Sequence, residues 1–215
     1  MYDKLLSIFL ETLNNPLKFI DPDGKEVVIS QGTLTNAQFA QFKQQTLTAM
    51  QALTNDQLAW KGNTLIITNL GGANSGKNLT YGTNLIQEQN SKQVGYKTTK
   101  IEYTTGGNSA TGASTDVNKT PSDANGPGDD ATVEWNPNKT TGGTDINGST
   151  NRPTEVGLGH ELIHTNHMNK GERDTGSSGK LDGDGTGVIL SNEEYKTRVD
   201  ENKIRKEQGV TPRKL

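Results

Sequence analysis

Two of the chain's three histidines stand four residues apart, in the run His160-Glu161-Leu162-Ile163-His164. The punctuation around this run is helical: Pro153 sits at the first turn and Gly171 lies just past the end. On a helix, residues four apart share one face, one turn apart. Two imidazoles so placed can converge on a single tetrahedral metal, with Zn–N distances of ~2.0–2.1 Å. Glu161 reaches the edge of the same site. It can take a proton from water on the metal and hand it to a leaving amine.

A catalytic zinc commonly has three protein ligands and one open position. His167 lies on the same helical face, but a rise of ~1.5 Å per residue puts it about 10 Å beyond His160. It serves as the alternative metal ligand only if the helix breaks early. The better candidates are the acids that open a later helix, Glu193 and Glu194. Glu194 is the expected ligand, with Glu193 accepting the N–H of a ligand imidazole. Acids at a helix start also complement the helix dipole, so the upstream histidine pair is what singles them out.

The remaining composition points to a small core and long connections. The hydrophobic fraction is 29% without glycine, of which there are 25 in 215 residues, against an apolar share of ~45–50% with glycine included in ordinary domains. A net charge of -3 and a pI of about 5.7 give no reason to expect a nucleic-acid partner. No apolar run approaches the ~18 residues that span a bilayer. The opening MYDKLLSIFLETL lacks a small-residue cleavage site, so no signal peptide is expected. With no cysteine in the chain, disulfides, thiolate ligands and a cysteine nucleophile are excluded.

Along the chain, Asn14 to Ile29 reads as a turn-rich strap punctuated by Pro16, Pro22 and Gly24. Thr35 and Gln38 form a capping box before a helical segment carrying Phe39, Phe42, Leu47, Met50 and Leu53. Thr54 with Gln57 reads as a second box opening a short turn with Leu58 and Trp60. Thr64 to Leu70, Lys97 to Thr104 and Ala131 to Trp135 read as strands. Thr105 to Asp130 is dominated by Gly, Ser, Asn, Asp and Thr, and is expected to be a flexible loop. Arg173 to Gly187 is expected to be loop as well, and Asn192 to Gln208 a charged helix.

GLGHELIHTNHMNKG followed by NEEYKTRVDENKIRKEQGVTPRKL resembles the effector zinc metallopeptidases of the NleD-like family, which also occur as toxic C-terminal tips of bacterial Rhs-repeat proteins. The HELIH-then-EE-x-x-T order is also similar to the gluzincin light chains of clostridial neurotoxins. This resemblance covers about Ala131 to Leu215. Separately, NNPLKFIDPDGK (Asn14 to Lys25) resembles the end of an Rhs core. The resemblance implies an α+β, zincin-like fold: a small twisted sheet packed against the active-site helix, a second ligand-bearing helix, and long loops. It divides the chain into a strap over residues 1–30 and a metallopeptidase domain over 31–215, with 105–130 as a loop inside it.

By the same resemblance His160, His164 and Glu194 bind one zinc ion and Glu161 is the general base. Thr197, Glu201, Asn202 and Arg205 match the family's helical pattern and support the site. The strand Ala131 to Trp135 would be the edge along which an extended substrate pairs. A tyrosine that follows the final Pro-Arg in the family is absent here, where Pro212-Arg213 is followed only by Lys214 and Leu215. Arg213, Arg205 and Tyr195 remain candidates for polarising the scissile carbonyl. The expected activity is zinc-dependent endopeptidase, in a toxin or effector secreted or delivered into a target cell. Its partners would be a protein substrate and a cognate immunity protein. The alternatives are a binding module with a structural or degenerate metal site and a zinc amidase acting on cell wall.

Three further stretches carry weaker signals. Gly71 to Asn78 nearly spells a phosphate loop, but Asn78 replaces the Ser or Thr and LTYGTN reads as a poor helix. Asp182 to Glu193 comes close to a calcium loop through Asp182, Asp184, Gly187 and Glu193, with Thr186 out of pattern. Asp21, Asp23 and Gly24 could belong to the self-cleavage region of an Rhs core, and alone they read as an inert remnant.

Overall fold

The computed structural model describes residues 26–91, 97–113, 122–123 and 126–215. The resemblance to an Rhs core at Asn14 to Lys25, the triad Asp21, Asp23 and Gly24, and much of the loop expected after Gly112 lie outside these residues. The strands are β1 (Val27–Ile29), β2 (Gln57–Lys61), β3 (Thr64–Asn69), β4 (Thr99–Tyr103), β5 (Ser109–Gly112), β6 (Ala131–Trp135), β7 (Ser177–Leu181) and β8 (Ile189–Ser191). The helices are α1 (Asn36–Ala52), α2 (Thr80–Gln89), α3 (Thr154–Lys170) and α4 (Asn192–Glu207). The architecture is α+β, with one six-stranded mixed sheet in the order β2-β3-β1-β4-β6-β5 and a separate β7-β8 hairpin.

Strands β1, β4 and β6 run parallel and in register, Ile29 beside Ile101 and Ile101 beside Val133. Alternate side chains point to one face, so Val27, Ile29, Ile101, Val133 and Trp135 form a continuous buried surface. Helices α1 and α3 cover it through Phe42, Met50, Leu158 and Leu162, all buried. Phe42 and Trp135 stack at 6.1 Å between ring centroids. The capping box at Thr35 and Gln38 closes reciprocally at the start of α1.

Several sequence expectations change here. The Thr54 box opens no turn: Gln57–Lys61 is strand β2, paired antiparallel with β3, and Thr54 Oγ1 accepts instead from the Asp56 amide at 3.0 Å. Thr80–Gln89 is a helix although LTYGTN is poor in helix formers. Its first amides, Tyr81 N and Gly82 N, are capped by the Glu207 carboxylate at 2.5 and 3.0 Å. A carboxylate therefore fills the place a phosphate would take. The loop expected over 105–130 contains β5, and the one over 173–187 contains β7. Val27–Ile29, within the stretch read as a strap, is a central strand between β3 and β4.

The most consequential correction concerns β6. It lies between β4 and β5 with both edges paired, so it cannot accept an added strand. β5 is the outer strand on that side. Helix α3 ends at Gly171 in the left-handed conformation at φ 66°, the usual stop. At Gly159 the helix draws close to α4, where an added methyl group would come within 2.7 Å of Ile204 Cδ1. That close approach sets α4 against the histidine-bearing stretch of α3.

Candidate metal centre

His160 and His164 project from one face of α3, ring centroids 4.8 Å apart and nearly perpendicular at 83°. The Nδ1 of His160 meets Glu201 Oε2 at 2.9 Å, and the Nδ1 of His164 meets Glu193 Oε1 at 2.8 Å. A carboxylate at Nδ1 fixes the proton there and leaves Nε2 with its lone pair free. The two Nε2 atoms face each other at 3.2 Å. Two lone pairs at that separation repel unless a cation or a proton stands between them.

Glu194 completes the arrangement from the first turn of α4. Its Oε2 lies 3.3 Å from His164 Nε2 and 3.6 Å from His160 Nε2. A tetrahedral zinc with ligands at ~2.0–2.1 Å needs ligand–ligand edges of about 3.4 Å. The three edges here, 3.2, 3.3 and 3.6 Å, fit that requirement. The other oxygen of Glu194 accepts from Arg198 Nε at 2.7 Å, which fixes the carboxylate. Ser191 caps the helix through the Glu194 amide at 3.1 Å and so sets where the acid emerges.

Glu161 is buried beside the pair, and donor atoms of His160, Glu161 and His164 lie within 4.8 Å of one another. Among the described residues its carboxylate makes no hydrogen bond. Glu194 Oε2 thus stands close to both Nε2 atoms, and Glu161 lies beside them with its carboxylate unengaged among the described residues.

Burial alone would lower the basicity of His164, but the Glu193 and Glu194 carboxylates outweigh it and raise its pKa to about 9. His160 is likewise raised: burial opposes, and Glu194 and Glu201 prevail. Burial would push the carboxyls up, but the imidazoles hold Glu193 at about 2 and keep Glu194 and Glu201 well below the ordinary range.

Around this cluster stand further charged and polar groups. Thr197 Oγ1 lies 3.2 Å from both His164 Nδ1 and Glu193 Oε1. Arg205, wholly buried, donates to Glu201 Oε1 at 2.7 Å and to the Thr211 carbonyl at 2.9 Å. Arg213 Nη1 lies 3.2 Å from Glu201 Oε2 and 3.6 Å from Glu194 Oε1. Asn202 clamps the Arg213 backbone from both sides, accepting from its amide at 2.6 Å and donating to its carbonyl at 3.0 Å. The C-terminal strap, residues 209–215, is thereby tied to α4, and Arg213 is brought beside Glu194 and Glu201.

Other sequence candidates stand elsewhere. His167 turns its Nδ1 to Glu193 Oε1 at 2.9 Å and does not join the ligand cluster. Tyr195 makes no hydrogen bond to the cluster. Asp182 accepts from Arg198 at 2.7 Å, and Asp184 from the Thr144 amide and from Arg213 at 3.3 Å. With guanidinium groups occupying these carboxylates, the segment is arranged for arginine rather than calcium. Sequence reasoning overlooked Arg198 and Arg152. Arg198, four residues after Glu194, was legible as an i,i+4 ion pair. Arg152, in a polar loop before Pro153, carried no signal.

A family model named Peptidase_M91 and described as an effector protein matches residues 9–215. No curated protein matches the chain.

Proposed function

The chain belongs to the Peptidase_M91 effector family, and from that premise we propose that it is a zinc-dependent endopeptidase whose ion is held by His160, His164 and Glu194. One observation carries the reading: two imidazoles with Nδ1 committed to carboxylates turn their Nε2 atoms to each other at 3.2 Å, with Glu194 Oε2 beside both. Bound there, zinc supplies an acidified water and a Lewis acid for the scissile carbonyl. Glu161 accepts the proton as the water oxygen bonds to the carbonyl carbon. It returns that proton to the amine nitrogen as the C–N bond breaks. Glu201 and Glu193 hold the Nδ1 protons and so keep both lone pairs aimed.

Of the three candidates for the developing oxyanion, Arg213 is the one this reading selects. Arg205 is enclosed and engaged by Glu201 and Thr211, whereas Arg213 Nη1 stands at the edge of Glu194. An extended substrate would pair with β5, the outer strand beside the site. We further propose that the chain is a toxin tip delivered into a target cell and matched by an immunity protein, as its likeness to Rhs-borne tips suggests. Glu161→Gln tests the chemistry: cleavage of protein substrates by zinc-loaded protein should be abolished with zinc still bound. Normal cleavage by that variant would overturn the mechanism.

A further inference from the structure

Beside Glu161 lie two buried donors without a partner among the described residues. Arg152 is 7% exposed. Its Nε has no hydrogen-bond partner among the described residues, and its closest carboxylate approach is Nη1 to Glu201 Oε1 at 3.8 Å. Asn108, at the entry to β5, accepts from the Asn136 amide through its Oδ1 at 3.0 Å. That bond assigns the amide orientation, and it leaves Nδ2 buried and unpartnered. Buried donors without acceptors are uncommon and costly.

The Arg152 guanidinium, through Nη2, and the Asn108 amide meet above one residue. A methyl group added to Gly157 would lie 2.9 Å from Asn108 Nδ2 and 3.1 Å from Arg152 Nη2. On the other side, one added to Gly142 would lie 2.7 Å from the same Arg152 Nη2. The guanidinium is thus held between two glycine backbones. Gly157 precedes His160 by three residues and Glu161 by four, so the donors stand one turn up the metal-facing side of α3.

The charge balance indicates what they await. Glu201 is the carboxylate nearest Arg152, yet it already receives His160, Arg205 and Arg213. Glu161 acts on Arg152 electrostatically without bonding it. The guanidinium therefore retains hydrogen-bonding capacity and positive charge. A carboxylate is the acceptor that uses both, since charge-assisted hydrogen bonds are the stronger kind.

We propose that Arg152 and Asn108 form a specificity subsite over Gly157 that binds an acidic side chain of the substrate next to the scissile bond. This rests on the peptidase reading. The decisive experiment profiles a peptide library with zinc-loaded full chain, then compares matched Glu and Gln peptides at the selected position. We expect an acid at one fixed position and a preference of at least about tenfold in kcat/KM, carried mainly by KM. Arg152→Gln should collapse the Glu/Gln ratio to about one. Arg152→Lys should restore part of it, and Asn108→Ala should lower it while the chain stays folded by its thermal transition.

A wild-type profile without acid selection, or a ratio that survives Arg152→Gln, overturns the proposal. Equal losses on both peptides overturn it too, because Arg152 would then read a backbone carbonyl or only support the fold. A library left uncut would strike the peptidase reading instead. In that case, tighter binding of the Glu than the Gln peptide to Glu161→Gln protein would still uphold the subsite, and equal binding would refute it.

Discussion

The Nδ1 of His160 meets the carboxylate of Glu201, a residue with no exposed surface, at 2.9 Å. Glu201 sits 41 residues further along the chain, one turn before Arg205 on α4. It orients the imidazole and pairs with both Arg205 and Arg213.

Glu201→Gln should therefore weaken zinc binding by roughly 10- to 100-fold, the usual cost of losing such a partner. Removing one charge from a buried cluster should also destabilise the fold by about 3–5 kcal/mol. Competition with a zinc-selective dye and a denaturant melt would measure the two effects. Unchanged affinity would show that Glu201 serves the fold alone.

Glu194→Ala and His167→Ala should differ sharply. Glu194 Oε2 is within 3.6 Å of both Nε2 atoms, whereas the His167 ring pairs with Glu193. The glutamate variant should lose zinc and activity, and the histidine variant should keep most of both. The metal content of the purified variants decides it, and the opposite ranking would move the third ligand to His167.

Zinc uptake should depend on pH with a definite sign. In the metal-free chain His164 is raised from 6.5 to about 9, so below that range the site holds a proton that a metal must displace. Affinity should tighten as pH rises towards 9, and uptake near pH 7.5 should release about one proton. Calorimetry in buffers of different ionisation enthalpy reads this number. Because the folded pKa is raised, the stability it confers on the metal-free chain is complete below pH 6.5 and is lost as pH climbs through 9. Chelator-treated protein should melt lower at pH 9 than at pH 6.5, and a flat profile would contradict the assignment.

The contact between α3 and α4 carries the site's geometry. Ile204 is fully buried and its Cδ1 packs where Gly159 has no side chain. Ile204→Ala should cost about 2–5 kcal/mol in a denaturant melt. It should also lower zinc affinity, because α4 bears Glu194. A stability loss without any change in zinc affinity would show that α4 is held independently of this contact.

What the sequence disclosed, it disclosed through local pattern. The spacing of His160 and His164 and the acids that open the later helix are short-range signals, and the structure brings these side chains into one cluster. The period-2 burial of β4 and β6 was legible for the same reason. What stayed hidden depends on distant parts of the chain. Helix α2 is poor in intrinsic formers and is stabilised by Glu207 at its amides, more than 120 residues away. Strand β5 is too short and polar to announce itself, and it exists by pairing with β6. That pairing turned the expected edge strand into an interior one. The charged partners of Asp182 and Asp184 likewise come from α4 and the C-terminal strap, so a segment resembling a calcium loop became a set of arginine acceptors.

A single metal ion held between His160, His164 and Glu194 is what the proposed chemistry requires. Anomalous diffraction at the zinc edge from zinc-soaked crystals should show one ion per chain, bonded to His160 Nε2, His164 Nε2 and Glu194 Oε2. An anomalous map with no peak between those three side chains, or with the ion bound elsewhere, would contradict it.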